Sequence, residues 1–164
     1  MQPSPHTLMT DGTPSNAARR LRSELTASPL HTVLAESPDA PYSEETFCYF
    51  LDVERKRVER SRRPLLLLLV RLRAEPGADG RMDEAVAGAL FAGLRLCTRE
   101  VDFVGWYRRG RVAAAVLTQA AEVPPVACAR IRERAVETLT RRLPSRAARR
   151  LHVRILHVRP RNQD

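Results

Sequence analysis

Lysine is almost missing from this sequence. Lys56 is the only one, although Lys and Arg together number 28 against 19 Asp and Glu, so the formal net charge of +9 is an arginine charge. That excess suits an anionic nucleotide, nucleic acid or an acidic partner. Cysteine is scarce too: Cys48, Cys97 and Cys128 lie far apart, each inside a helical pattern, which excludes a paired-ligand spacing and predicts buried reduced thiols. Of the four histidines, His6 and His31 fall near the N-terminus, while His152 and His157 share one strand without a second ligand pair. No metal site and no cofactor are expected from them. Long hydrophobic runs are absent as well. The longest, Leu65 to Val70, is strand-sized, far short of the roughly 20 residues needed to span a bilayer. The start, "MQPSPHTLMTDGTPSN", has no basic stretch followed by an apolar one, so no secretory signal is expected and a cytoplasmic location is the default. Aromatics make up only 5% of the chain, and beside the basic residues only Trp106 and Tyr107 offer a ring on which a nucleobase would stack.

What is present orders itself along the chain. Residues 1–41 are rich in Pro, Ser, Thr and Ala and read as a flexible N-terminal extension, with helical character only in "SNAARRLRSEL". Arg19, Arg20 and Arg22 are offset there by Asp11, Glu24, Glu36 and Asp39, which leaves the charge excess to the folded part. That part, residues 42–160, opens with a helix for which Ser43 is placed as the cap, Glu44 and Glu45 lie in the first turn and the last turns are basic. Pro64 marks its end, and "LLLLLVRLR" follows as a strand buried on both faces over its first half. After the loop "AEPGADG", Val86, Leu90 and Leu94 form a helical stripe. Two short strands, "VGWY" and "RVAAAVL", flank a turn at Arg108, Arg109, Gly110 and Arg111. Beyond Pro124-Pro125, apolar residues recur every fourth position from Ala127 to Leu143, and Pro144 stops the helix. "LHVRILHV" closes as an alternating strand with Leu151, Val153 and Ile155 toward one face. The order helix-strand-helix-strand-strand-helix-strand predicts an α/β (α+β) fold, ferredoxin-like, with helices packed on a mixed central sheet.

With those elements in place, residues from about Ser43 to Val158 resemble the GGDEF family of diguanylate cyclase domains. "ERKRVERSRRPLLLLLV" is similar to the family's first helix, basic linker, proline and leucine-rich strand; "AVAGALFAGLRLCTREVD" to its central helix and Arg-x-x-Asp element; and "DFVGWYRRGRVAAAVL" to its signature hairpin. The resemblance implies that the Gly-Gly-Asp-Glu-Phe signature falls at Arg108, Arg109, Gly110, Arg111 and Val112, so no signature residue is in place. It also implies that the family's two metal-binding aspartates fall at about Arg71 and Arg73. The segment that surrounds the guanine in the family is shortened here to "AEPGADG", and the last family helix is missing. "REVD", Arg99 to Asp102, matches in identity and spacing the family's inhibitory site for cyclic di-GMP.

Carboxylates hold the hard metal ions that phosphoryl chemistry needs, and guanidinium groups cannot. The resemblance therefore implies a degenerate, catalytically inactive domain that signals through a protein partner, with Arg99 and Asp102 as the candidate cyclic di-GMP site. Arg71 and Arg73 share a strand face. Arg109 and Arg111 on the hairpin would join them in a candidate anion site at the degenerate active centre, or the four arginines would simply be solvated. A nucleic-acid binder is the alternative, resting on "RVERSRR" and "RRLPSRAARR". A metal-dependent transferase using Glu75, Asp79, Asp83 and Glu84 is disfavoured, since these acids lie in or beside a loop without a clear strand-borne partner.

Overall fold

The computed structural model describes residues 40–118 and 123–161. The chain divides into two units, Met1–Ala40 and Pro41–Asp164, and the architecture below is that of the second. The helix expected in "SNAARRLRSEL" lies outside the described residues, as does most of the extension assigned to residues 1–41.

Helix α1 (Glu44–Ser61) starts where Ser43 Oγ accepts a hydrogen bond from the Thr46 amide at 3.2 Å, with Glu44 and Glu45 at the positive end of the helix dipole. It ends at Arg62, which turns left-handed at φ 56° and returns its amide to the Val58 carbonyl. Strand β1 (Leu65–Leu72) then runs through the middle of the molecule. Leu65, Leu67 and Leu69 meet Phe47, Leu51 and Val58 of α1, while Leu66, Leu68, Val70 and Leu72 enter a second core on the opposite face. The continuous leucine run is thus the signature of a strand with no wet side.

Helix α2 (Glu84–Cys97) is capped by Asp83, which accepts from the Val86 amide at 2.8 Å. Strands β2 (Phe103–Arg108) and β3 (Val112–Leu117) form the hairpin, α3 (Pro125–Arg142) begins on a proline, and β4 (Leu151–Val158) closes the fold. Between Pro144 and β4 lies a six-residue helix, α4 (Ser145–Arg150), that the sequence reading runs past. The stripes of α2 and α3 and the Leu151, Val153 and Ile155 face of β4 all join the second core. The result is three layers, with α1 on one side of the sheet and α2 with α3 on the other.

The sheet order is β2-β3-β1-β4, and every pairing between these strands is antiparallel. A mixed sheet follows from the sequence because a helical crossover returns the chain in the same direction. Here β1 and β2 do run the same way, as do β3 and β4. However, β3 is inserted between the first pair and β1 between the second, so no two parallel strands are neighbours. Among the described residues the parallel component is a single bridge, Tyr42 to Gly105. Tyr42 donates to the Val104 carbonyl at 3.0 Å and accepts from the Trp106 amide at 2.9 Å. A Cβ at residue 105 would lie 2.6 Å from the Tyr42 oxygen, so this approach requires glycine.

Cys48, Cys97 and Cys128 are all free, Cys97 and Cys128 are buried, and Cys48 is half-buried. Among the described residues no helix is long and apolar enough to cross a membrane.

Candidate functional site

The hairpin turn, the end of β1 and the start of β4 come together at one end of the sheet. Gly110 takes φ 69°, and the Arg111 amide donates to the Arg108 carbonyl at 3.0 Å to close the turn. Neighbouring elements hold the turn in place. Glu44, in the first turn of α1, accepts from the Arg109 amide at 2.7 Å, and the Met82 amide donates to the Gly110 carbonyl at 2.8 Å. Arg111 reaches the "AEPGADG" loop, donating to the Asp79 backbone carbonyl at 3.1 Å and to its carboxylate at 3.2 Å. The Arg81 amide, together with the Arg111 and Arg81 guanidinium groups, holds the Asp79 carboxyl below its ordinary value.

Arg71 goes elsewhere. The β1–β3 register sets Arg71 opposite Val112, and alternation sends the adjacent Arg111 side chain to the other face. Arg71 instead donates to His152 Nδ1 at 3.4 Å across the β1–β4 ladder, where the two residues are partners. Burial, then Arg71, Arg73 and Arg154, depress the His152 pKa below its ordinary value. The charges acting on this imidazole are all positive. The four arginines expected to form one anion site thus occupy two places: Arg71 and Arg73 beside His152 and Arg154, and Arg109 with Arg111 beside Glu44 and Asp79.

Arg99 and Asp102 sit at the corner between α2 and β2. Asp102 Oδ2 accepts from the Arg99 amide at 2.8 Å, and Oδ1 accepts from the Thr118 amide at 3.0 Å and its hydroxyl at 3.3 Å. The carboxylate therefore ties this corner to the end of β3. The Arg99 side chain is exposed, with no ion pair among the described residues.

Two features escape a reading by composition and spacing. Arg150, within the basic run "RRLPSRAARR", is 9% exposed. It donates to the Arg73 carbonyl at 2.8 Å and lies 3.4 Å from the Glu75 carboxylate, so it fastens the loop after β1 to the start of β4. In the same region Arg141 pairs with Glu137 and Arg146 with Glu75 at 3.7 Å, so several of these cations are spent within the molecule. The second feature is a contact of 3.3 Å between Cys128 Sγ and His157 Nε2, made because a helix residue and a strand residue far apart in sequence meet over the core. Among the described residues no group of three or more His, Cys, Asp or Glu side chains is arranged to hold a metal ion.

Three layers, a β2-β3-β1-β4 sheet and a hairpin turned over the end of β1 constitute a GGDEF-like cyclase fold, which solved diguanylate cyclase structures share. One such structure is a DGC protein from Thermotoga maritima, with a TM-score of 0.50 and 17% identity over 73% of this chain and 81% of that one. Another is the diguanylate cyclase SiaD of Pseudomonas aeruginosa, solved in complex with its activator SiaC, with a TM-score of 0.57 and 15% identity over 90% of this chain. The match covers 56% of SiaD, so this chain spans little more than half of that protein. No protein-family model and no curated protein matches the sequence.

Proposed function

We propose that this chain is a non-catalytic regulatory domain on a diguanylate-cyclase fold, acting through contact with a protein partner. The observation that carries the reading is the chemistry at the end of β1 and at the hairpin turn. Where the GGDEF resemblance assigns metal-binding carboxylates and a glycine pair, this chain has Arg71, Arg73, Arg108, Arg109 and Arg111. Joining two GTP molecules by attack of a ribose hydroxyl on an α-phosphate draws on a divalent metal to neutralise developing charge. A guanidinium group repels such an ion and has no lone pair for it. The carboxylates beside the turn are already engaged, Asp79 by Arg111 and Glu44 by the Arg109 amide. Arg108 and Arg109 also stand where a bare backbone would let a triphosphate lie close.

SiaD supports the partner half of the reading, since that cyclase forms a complex with a protein activator. The free thiols suit a reducing, cytoplasmic setting. The test is incubation of the full chain with GTP and magnesium, followed by chromatography of the nucleotides. No cyclic di-GMP is expected, and product accumulating in proportion to protein would overturn the reading.

A second reading, cyclic di-GMP bound at Arg99 and Asp102, draws on the exposed Arg99 guanidinium. Because Asp102 already accepts from three donors, Arg99 would supply most of the grip. Calorimetry with cyclic di-GMP tests it: binding heat that Arg99→Ala abolishes is the expected result, and no heat from the intact chain excludes it.

A further inference from the structure

Strand β4 ends the sheet. Among the described residues it pairs with β1 on one side and with no strand on the other. An open edge presents backbone donors and acceptors at the spacing of another strand. A groove of about 380 Å³ runs beside it, walled by Cys128, Ala129 and Arg132 of α3 and by residues 152–155 of β4. Arg132 and Arg154 bring positive charge to this lining, which contains no acidic residue.

The register says what would fit. His152 and Arg154 stand opposite Arg71 and Leu69, on the α1 side of the sheet but beyond the cover of α1, where Leu156 on the same face is 36% exposed. Val153 and Ile155 point to the other side, into the core under α2 and α3. A strand laid along β4 repeats this alternation. Its residue facing Arg154 meets positive charge, the one facing His152 meets an imidazole with hydrogen-bonding nitrogens, and those between them extend an apolar layer. Cross-strand neighbours of opposite charge stabilise a pair and like charges oppose it.

We propose that the outer edge of β4 receives an extended acidic segment of a protein partner, alternating carboxylate and apolar residues, as a fifth strand. The inference rests on the reading that this domain works through a protein partner and names the surface and the chemistry of the contact. A second copy of this chain fits the edge poorly, because β4 against β4 adds a second Arg154 to the same edge and no acidic residue to offset it.

The test uses the full chain and a fluorescent eight-residue peptide of alternating Glu and Val, read by anisotropy. Saturable binding is expected, weakened about tenfold by Arg154→Glu, whose exposed site leaves the fold intact by circular dichroism. The same peptide methylated at alternate backbone nitrogens should not bind, since it has lost donors needed for strand pairing. No saturable binding, equal binding of the methylated peptide, or an unchanged Arg154→Glu titration would overturn the proposal. A dimer in sedimentation velocity that Arg154→Glu alters would also overturn it, by giving the edge to a second copy. Failure here leaves the non-catalytic reading standing, and cyclase activity would remove that reading without touching the peptide result.

Discussion

Asp102 receives donors from two directions, the Arg99 amide within its own corner and the amide and hydroxyl of Thr118 at the end of β3. Truncating it leaves those donors without their acceptor. Asp102→Ala should lower stability by about 1–3 kcal/mol in urea denaturation, whether or not cyclic di-GMP is present; an unchanged midpoint would show the carboxylate to be structurally idle. The Arg-x-x-Asp spacing was readable in the chain, but the use of its aspartate was not, because the partner Thr118 lies sixteen residues away. Arg150 makes the same point: in "RRLPSRAARR" nothing distinguishes the buried arginine from its exposed neighbours until the loop after β1 folds over it. His152 yields a prediction with a definite sign. Its folded pKa is depressed below the ordinary 6.5, so below pH 6.5 the unfolded chain takes up this proton before the folded chain does. The stability contributed here is full above pH 6.5 and declines as pH falls through the folded value. His152→Gln should therefore lose less stability than the parent between pH 7.5 and pH 5, measured by urea denaturation at each pH.

At the scale of elements, the caps and breaks were legible because their signals are local. Ser43 starts α1, Pro64 separates it from β1, and Pro144 stops α3, each where residue chemistry dictates. Helix α4 was not legible, since six residues are under two turns and too few for a hydrophobic period. Nor was the reason for Gly105. An isolated glycine in a strand signals a close backbone approach without naming what approaches, and here it is Tyr42. Gly105→Ala forces its Cβ against the Tyr42 oxygen and the Phe47 ring. It should cost about 1–3 kcal/mol and expose the Tyr42, Phe50 and Phe103 ring cluster to solvent, a loss visible in near-ultraviolet circular dichroism. An undiminished signal and an unchanged denaturation midpoint would mean that the bridge to Tyr42 is not formed in solution.

For the whole molecule, the leucine run of β1 already announced two cores, and the element order announced helices across a sheet. The insertion of β3 and β1 between strands that run in the same direction depends on long-range pairing that no local window contains. The same geometry distributes the arginines. Because the end of β1, the hairpin turn and the start of β4 meet at one end of the sheet, that end collects cations at the positions the GGDEF resemblance assigns to metal-binding carboxylates. Arg111 is drawn off by Asp79, leaving Arg71, Arg73 and Arg154 around His152. The central claim is that this end has exchanged a metal site for a cationic surface. Manganese titration of the full chain, followed by electron paramagnetic resonance, tests it most directly. The account predicts a free-ion signal indistinguishable from that of buffer at every manganese concentration; a saturable loss of that signal, relieved by Asp79→Asn, would contradict it.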